Sequence, residues 1–249
     1  FLAEAFTRPA MMHELARIGF TQSYTYFTWR NTKVELEEYF EELSQESADY
    51  FRPNLFVNTP DILTEYLQFG GRGAYKVRAA LAATASPSWG VYAGYELVEN
   101  VARPGSEENV DNEKYEYKRR DWAHADQYGM ATLLTTLNRV RRDHVALRRL
   151  RGLTVHPTTN PNVLCFSRHV SAEESPNGKA DTVIVVASFD PHAAHDAVVT
   201  FDMAAIGRPE EDRMVVKDAI TGDSYTWGRE FYVRLDPALT LVHIAPIQP

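Results

Sequence analysis

Phe51-Arg52-Pro53-Asn54-Leu55-Phe56-Val57-Asn58-Thr59-Pro60-Asp61 is the stretch on which the reading of the fold turns. Leu55 to Val57 is a short apolar run that stops at four polar or turn-forming residues. Such a run reads as a buried strand, and Asn58-Thr59-Pro60-Asp61 as the loop leaving its C-terminal end. Pro60 fixes its own φ and pushes Thr59 toward extended backbone, so the turn that presents Asp61 is stiff. In a parallel α/β barrel, catalytic groups gather at that end of the strands. The plainer use of Asp61 is as a cap for the helix expected from about Thr64, and the rest of the chain weighs between the two.

Upstream, Phe1 to Phe6 reads as a strand carrying one carboxylate, Glu4, between two alanines. A buried unpaired charge is costly, so Glu4 belongs at a strand end or in a polar cleft. Pro9 to Ile18 reads as a helix with proline in its first turn and Gly19 as its stop. Phe20 to Phe27 is β-branched and aromatic, hence a strand. Thr32 to Ala48 reads as a helix, with Glu35 three residues after the capping threonine. Downstream, a helix runs to about Phe69. Gly70-Gly71-Arg72-Gly73 lacks the Lys-Ser/Thr of a phosphate loop and reads as a turn. Tyr75 to Ala85 is helical, Trp89 to Leu97 a strand, Glu99 to Trp122 a long polar loop, and Met130 to Leu150 a helix. Loops of that length inside a compact domain are usually functional or disordered.

Four strand–helix units make half of an eightfold barrel. From Gly152 short strands and turns replace helices, which reads as a small antiparallel β-sandwich. The expected fold is α/β plus all-β. Residues 1–151 would form the C-terminal half of a (β/α)8 TIM barrel, strands five to eight, and residues 152–249 a β-sandwich domain.

The 249 residues suffice for one large domain or a medium and a small one. A hydrophobic share of 44% and a charged share of 24% are ordinary for a soluble globular protein. A net charge of −8 argues against nucleic-acid and anionic-membrane partners. The clustered arginines, Arg139, Arg141, Arg142, Arg148, Arg149 and Arg151, alternate with leucines and read as a solvated helix face. Cys165 is the sole cysteine, so no internal disulfide forms, which is compatible with a reducing cytosol. No apolar run approaches the roughly 20 residues that span a bilayer. No signal-peptide pattern opens the chain, and a cytoplasmic location is expected. His192 and His195 are a weak metal signal and read as solvated loop residues, so no metal site is expected. The chain opens without methionine inside an apparent core strand, as expected of a piece of a longer protein.

Glu4 and Asp61 thus fall at the ends of two barrel-type strands, among aromatic-rich loops. Retaining cleavage of a glycosidic bond uses an acid/base carboxyl and a nucleophilic carboxylate. A third carboxylate can bind ring hydroxyls and stabilise the oxocarbenium-like transition state. Two of the three are visible.

Three stretches carry a resemblance: Phe1-Leu2-Ala3-Glu4-Ala5-Phe6-Thr7-Arg8-Pro9, Phe56-Val57-Asn58-Thr59-Pro60-Asp61-Ile62-Leu63, and Glu113-Lys114-Tyr115. Over its whole length the chain resembles the C-terminal portion of the bacterial α-1,4-glucan:maltose-1-phosphate maltosyltransferases, in the α-amylase superfamily (glycoside hydrolase family 13). Asn-Thr-Pro-Asp, where most amylase relatives have a histidine before the aspartate, is the maltosyltransferase form. The resemblance implies that Glu4 is the general acid/base and Asp61 the transition-state stabiliser. Asn58 and Thr59 would flank the same sugar subsite, while Lys114 and Tyr115 would help hold the donor's second glucose. It places the nucleophilic aspartate and most phosphate contacts upstream of Phe1, so this chain alone is expected to be inactive. It implies maltose 1-phosphate and an α-1,4-glucan acceptor as partners, a homodimer, and no cofactor. Two other readings stand beside it: an α-amylase-type hydrolase, and a non-catalytic glucan-binding protein.

Overall fold

In the computed structural model, residues 1–112 and 117–248 are described; Lys114 and Tyr115 lie outside them. Four short strands, β1 (Leu2–Ala3), β2 (Gln22–Tyr24), β3 (Pro53–Phe56) and β4 (Ser88–Gly90), pair in parallel and in chain order. Each is followed by one main helix: α1 (Pro9–Arg17), α2 (Lys33–Ser44), α3 (Glu65–Ala85) and α4 (Met130–Asp143). Leu55 and Val57 bury themselves in a core shared with Leu67, Ala79 and Leu133 on α3 and α4. Asn54 and Phe56, one residue out of phase, face the other way, as the twofold period of a strand requires.

The strands are shorter than the apolar runs that carry them. Phe20–Phe27 gives only three strand residues because Thr25 Oγ1 accepts the Phe27 N–H and starts a 3-10 turn over Tyr26–Trp29. The run Trp89–Leu97 leaves the sheet at Gly90; Gly94 takes φ 94° and Tyr95–Leu97 is a 3-10 turn. Helix α4 stops at Asp143 rather than near Leu150. His144 there is extended and its Nδ1 lies 2.7 Å from Asp181 Oδ1. Asp181 Oδ2 also accepts the Ala146 N–H at 2.9 Å.

Helix α2 opens on a full capping box between Thr32 and Glu35. Thr32→Ala is expected to cost about 1 kcal/mol, read as a lower urea midpoint with an unchanged slope. The glycine cluster does break the helix: α3 is two helical segments that meet at a kink at Gly71 (φ 55°, ψ −153°). Its neighbour Gly73 allows close packing, since a Cβ there would sit 3.0 Å from both Pro191 and Leu241.

The last carbonyls of α3 have no glycine cap. Arg141 donates to the carbonyls of Ala83, Ser86 and Pro87, and fully buried Arg168 donates to that of Ala85. The arginine cluster is therefore not a uniformly solvated face: Arg141 neutralises a helix C-terminus.

Eight further strands follow: β5 (Leu153–His156), β6 (Val163–Val170), β7 (Asp181–Ser188), β8 (His195–Thr200), β9 (Met214–Lys217), β10 (Ser224–Trp227), β11 (Glu230–Leu235) and β12 (Val242–Pro246). They form an antiparallel sheet in the order β12-β7-β6-β5 and two pairs, β8 with β11 and β9 with β10. The four-stranded sheet is buried on both faces. Leu164, Phe166, Val183 and Val185 join the core under α2 and α3. Val163, Cys165, Ile184 and Val186 join a second core with β8, β9 and β11. Alternate residues of one strand thus serve two cores, which is why β6 and β7 read as almost unbroken apolar runs.

His156, at the end of β5, is fully buried and stacked on Phe201 at 3.9 Å. Its Nδ1 accepts the Asp202 N–H, so Nε2 carries the proton and donates to Ser167 Oγ at 2.8 Å. Burial pushes its pKa down from 6.5 to about 4. Between those values the unfolded chain binds a proton that the fold refuses, so stability holds above pH 6.5 and declines as pH falls toward 4. The expected loss is on the order of 3 kcal/mol, read from urea unfolding at pH 7 and pH 4.5. A His156→Gln protein should show a flatter pH profile over that window.

Candidate active site

Because β1 to β4 are parallel, their C-terminal ends emerge on one edge. Glu4 follows β1 directly and is exposed. Asn58 lies two residues past β3, and Tyr92 two past β4. Neighbouring strands lie roughly 4.8 Å apart, which puts the strand of Glu4 about 10 Å from that of Asn58.

The Asn58–Asp61 turn is closed by reciprocal backbone bonds between Thr59 and Ile62. Thr59 Oγ1 accepts the Asp61 N–H at 3.2 Å, and the Thr59 carbonyl accepts Asn109 Nδ2 at 2.8 Å. Asn58 is buried, and its Oδ1 accepts the Tyr92 N–H at 2.9 Å, binding the exits of β3 and β4 together. The N-cap of α3 is Thr64, so Asp61 does not cap that helix; its residue is exposed at the turn. Asn58 and Thr59 shape the turn through their own hydrogen bonds, while Asp61 is the group it displays.

Aromatic rings line the edge between Glu4 and this turn. Phe6 meets Trp29 edge-on at 5.3 Å, and Tyr24 meets Phe56 edge-on at 4.9 Å. Gly90 makes room for Phe56, whose ring a Cβ would approach to 2.8 Å. Burial first, and then the Glu4 charge, raise the Tyr24 phenol above its ordinary pKa. Trp29 Nε1 donates to Glu107 Oε2 at 2.8 Å, tying the β2 exit to the long loop. Two cavities of about 540 and 570 Å³ lie elsewhere, beside His169 and Phe69; neither includes Glu4 or Asp61.

Four residues singled out in the sequence, Glu4, Asn58, Thr59 and Asp61, thus share one edge. Phe6, Tyr24, Trp29 and Tyr92 join them without having been singled out; the signal was aromatics at or after the ends of β1, β2 and β4. His195 is not a solvated loop residue. It opens β8, is mostly buried, and its Nε2 pairs with Asp190 Oδ2 at 2.9 Å. Among the described residues no group of three or more His, Cys, Asp or Glu is placed to hold a metal. No described helix is long and apolar enough to cross a membrane.

The chain superimposes on an α-amylase from Malbranchea cinnamomea with a TM-score of 0.68 at 13% identity, covering 98% of this chain and 49% of that one. An α-amylase from Geobacillus thermoleovorans, solved with acarbose, gives 0.65 at 11% identity, covering 100% and 53%. The fold is therefore of α-amylase type.

Residues 155–247 match a family model described as "GLGE, C-terminal". Alpha-1,4-glucan:maltose-1-phosphate maltosyltransferase 2 of Streptomyces coelicolor is 55% identical over 98% of this chain and 36% of its own length. The enzyme of the same name from Arcanobacterium haemolyticum is 50% identical over 100% of this chain and 36% of its own. Over nearly all its length, then, the chain is a relative of the α-1,4-glucan:maltose-1-phosphate maltosyltransferases, and it spans about a third of each.

Proposed function

We propose that this chain is part of a retaining maltosyltransferase that moves maltosyl units from maltose 1-phosphate to the 4-hydroxyl at the non-reducing end of an α-1,4-glucan. The observation that carries the reading is the meeting of Glu4 and the Asn58–Asp61 turn on the C-terminal edge of one parallel sheet, in a chain so similar to enzymes of that name. Residues 1–151 would be half of a (β/α)8 barrel and residues 152–249 a β-sandwich domain. The chain-order parallel sheet, with helices on one face, supports the first assignment. The core formed by β6, β7, β8 and β9 supports the second.

In this mechanism a carboxylate supplied by preceding residues of the complete protein attacks the anomeric carbon and displaces phosphate. Glu4 gives its proton to the leaving phosphate oxygen. As a carboxylate it then takes the proton of the acceptor 4-hydroxyl, which attacks the maltosyl-enzyme. One proton leaves and one returns, and two inversions give net retention. Asp61 binds ring hydroxyls and stabilises the positive charge developing at the anomeric carbon. Asn58 and Thr59 hold Asp61 in place beside that subsite, and Lys114 and Tyr115 hold the donor's second glucose. Phosphate is already a good leaving group, so the reaction needs neither metal nor organic cofactor. A role in α-glucan (glycogen) synthesis, a cytoplasmic location and a homodimer accompany this reading through the resemblance alone.

Product sizes test it. The complete protein, given maltose 1-phosphate and a short malto-oligosaccharide, should yield products longer by steps of two glucoses. Shorter products formed without the sugar phosphate would instead point to a hydrolase.

A further inference from the structure

The long loop after β4 is held by a carboxylate that the mechanism above does not use. Arg120 Nε lies 3.1 Å from both oxygens of Glu99. Lys118 Nζ lies 3.1 Å from Glu99 Oε2 and 3.0 Å from Asp111 Oδ2. One cation therefore bridges the outgoing and returning limbs of the loop. The Arg120 side chain is only 3% exposed and Glu99 24%, so water screens this pair poorly.

The backbone beneath it is specialised. Gly94 takes φ 94°, and a side chain there would collide with the Glu99 carboxylate. Val98, next to Glu99, is the sole non-glycine residue with positive φ among those described (φ 54°, ψ 46°). A β-branched residue in that region is strained and persists only where its surroundings fix it. Here they do: Val98 packs on the main core, and Tyr75 donates its hydroxyl to the Glu99 carbonyl at 2.6 Å.

The cluster also reaches the candidate site. The Arg120 guanidinium sits 5.5 Å from the Tyr92 ring centroid, and the Tyr92 N–H is the donor that Asn58 Oδ1 accepts. Tyr92 and Glu99 belong to one exit segment, so a shift of Arg120 is felt at the Asn58 turn.

We infer that Glu99 is a positioning residue: its carboxylate pins both limbs of the 99–122 loop and, through Arg120 and Tyr92, the Asn58 turn against the donor side of the site. This rests on the maltosyltransferase reading, because the donor side is defined by it. Residues 112–117, which include Lys114 and Tyr115, lie in sequence between Asp111 and Lys118, the two ends of one of these ion pairs.

The test compares Glu99→Gln and Glu99→Asp with wild type in the complete protein. Glu99→Gln should raise the KM for maltose 1-phosphate about tenfold and leave the acceptor KM within about threefold. Glu99→Asp, which restores the charge, should recover part of the loss. Hydrogen exchange at residues 109–112 and 117–121 should quicken about tenfold in Glu99→Gln, while the strands β5 to β7 keep their protection. If Glu99→Gln does not fold, Lys118→Met, at a more exposed position, should still quicken exchange at residues 109–112. Wild-type donor KM and exchange in these variants would overturn the role of Glu99. Equal losses for donor and acceptor would reduce it to general stability and overturn it too. Wild-type protein that releases no phosphate would sink the transferase reading itself, a result independent of any Glu99 variant.

Discussion

Glu4→Gln in the complete protein is expected to lower phosphate release from maltose 1-phosphate by about 10²- to 10⁴-fold. Glutamine keeps the shape of the side chain and loses its titratable proton. It can neither protonate the leaving oxygen nor accept the proton of the attacking hydroxyl. Because Glu4 is exposed at a strand end rather than packed in a core, the exchange should leave the fold intact. Two chemical rescues separate this role from simple damage. A donor whose leaving group needs no proton, such as maltosyl fluoride, should restore the first step. An anionic acceptor such as azide, which arrives already deprotonated, should restore the second. Near-wild-type turnover by Glu4→Gln, or no rescue of either step, would remove Glu4 from the acid/base role.

Asp218→Asn is expected to destabilise the C-terminal strands by about 3 kcal/mol. Asp218 is fully buried, and both of its oxygens are engaged. Oδ1 accepts the N–H groups of Ile220 at 3.1 Å and Ile244 at 3.0 Å. Oδ2 lies 2.8 Å from His243 Nδ1 and accepts the Thr221 hydroxyl at 3.0 Å. Burial pushes this carboxyl up, but the hydrogen bond and charge of His243, with the backbone donors, outweigh it and leave its pKa below the usual value. An asparagine turns one acceptor into a donor facing other donors. The carboxyl's contribution is fully present above the unfolded value near 4 and is lost as pH falls through the folded value. The gap between wild type and Asp218→Asn in urea unfolding should therefore be full at pH 7 and shrink below about pH 4. Equal stability at pH 7 would contradict this account of the residue.

Much of the architecture was legible because its signals are local. Thr32 with Glu35 announced a helix start, and Leu55–Val57 followed by Asn58-Thr59-Pro60-Asp61 announced a strand and its exit. Both formed as read. Boundaries were missed where a distant partner decides them. Nothing near His144 signals that Asp181, 37 residues on, ends α4. Likewise nothing near Gly73 signals that Pro191 and Leu241 pack against it.

The candidate site divides along the same line. Glu4 and Asp61 stood out because carboxylates at the ends of apolar strands are unusual. Tyr92, Glu99 and Arg120 did not, because a charged cluster is invisible while its members sit 21 residues apart in an irregular loop. A shift of Arg141 from solvated face to helix cap follows from the same cause: its acceptors lie more than 50 residues away.

The measurement that bears most directly on the central claim is phosphate release by the complete protein from maltose 1-phosphate, with and without a malto-oligosaccharide acceptor. Release that rises with acceptor concentration, while the acceptor lengthens, is the predicted result. Release that ignores the acceptor, or cleavage of the oligosaccharide with no phosphate formed, would contradict it.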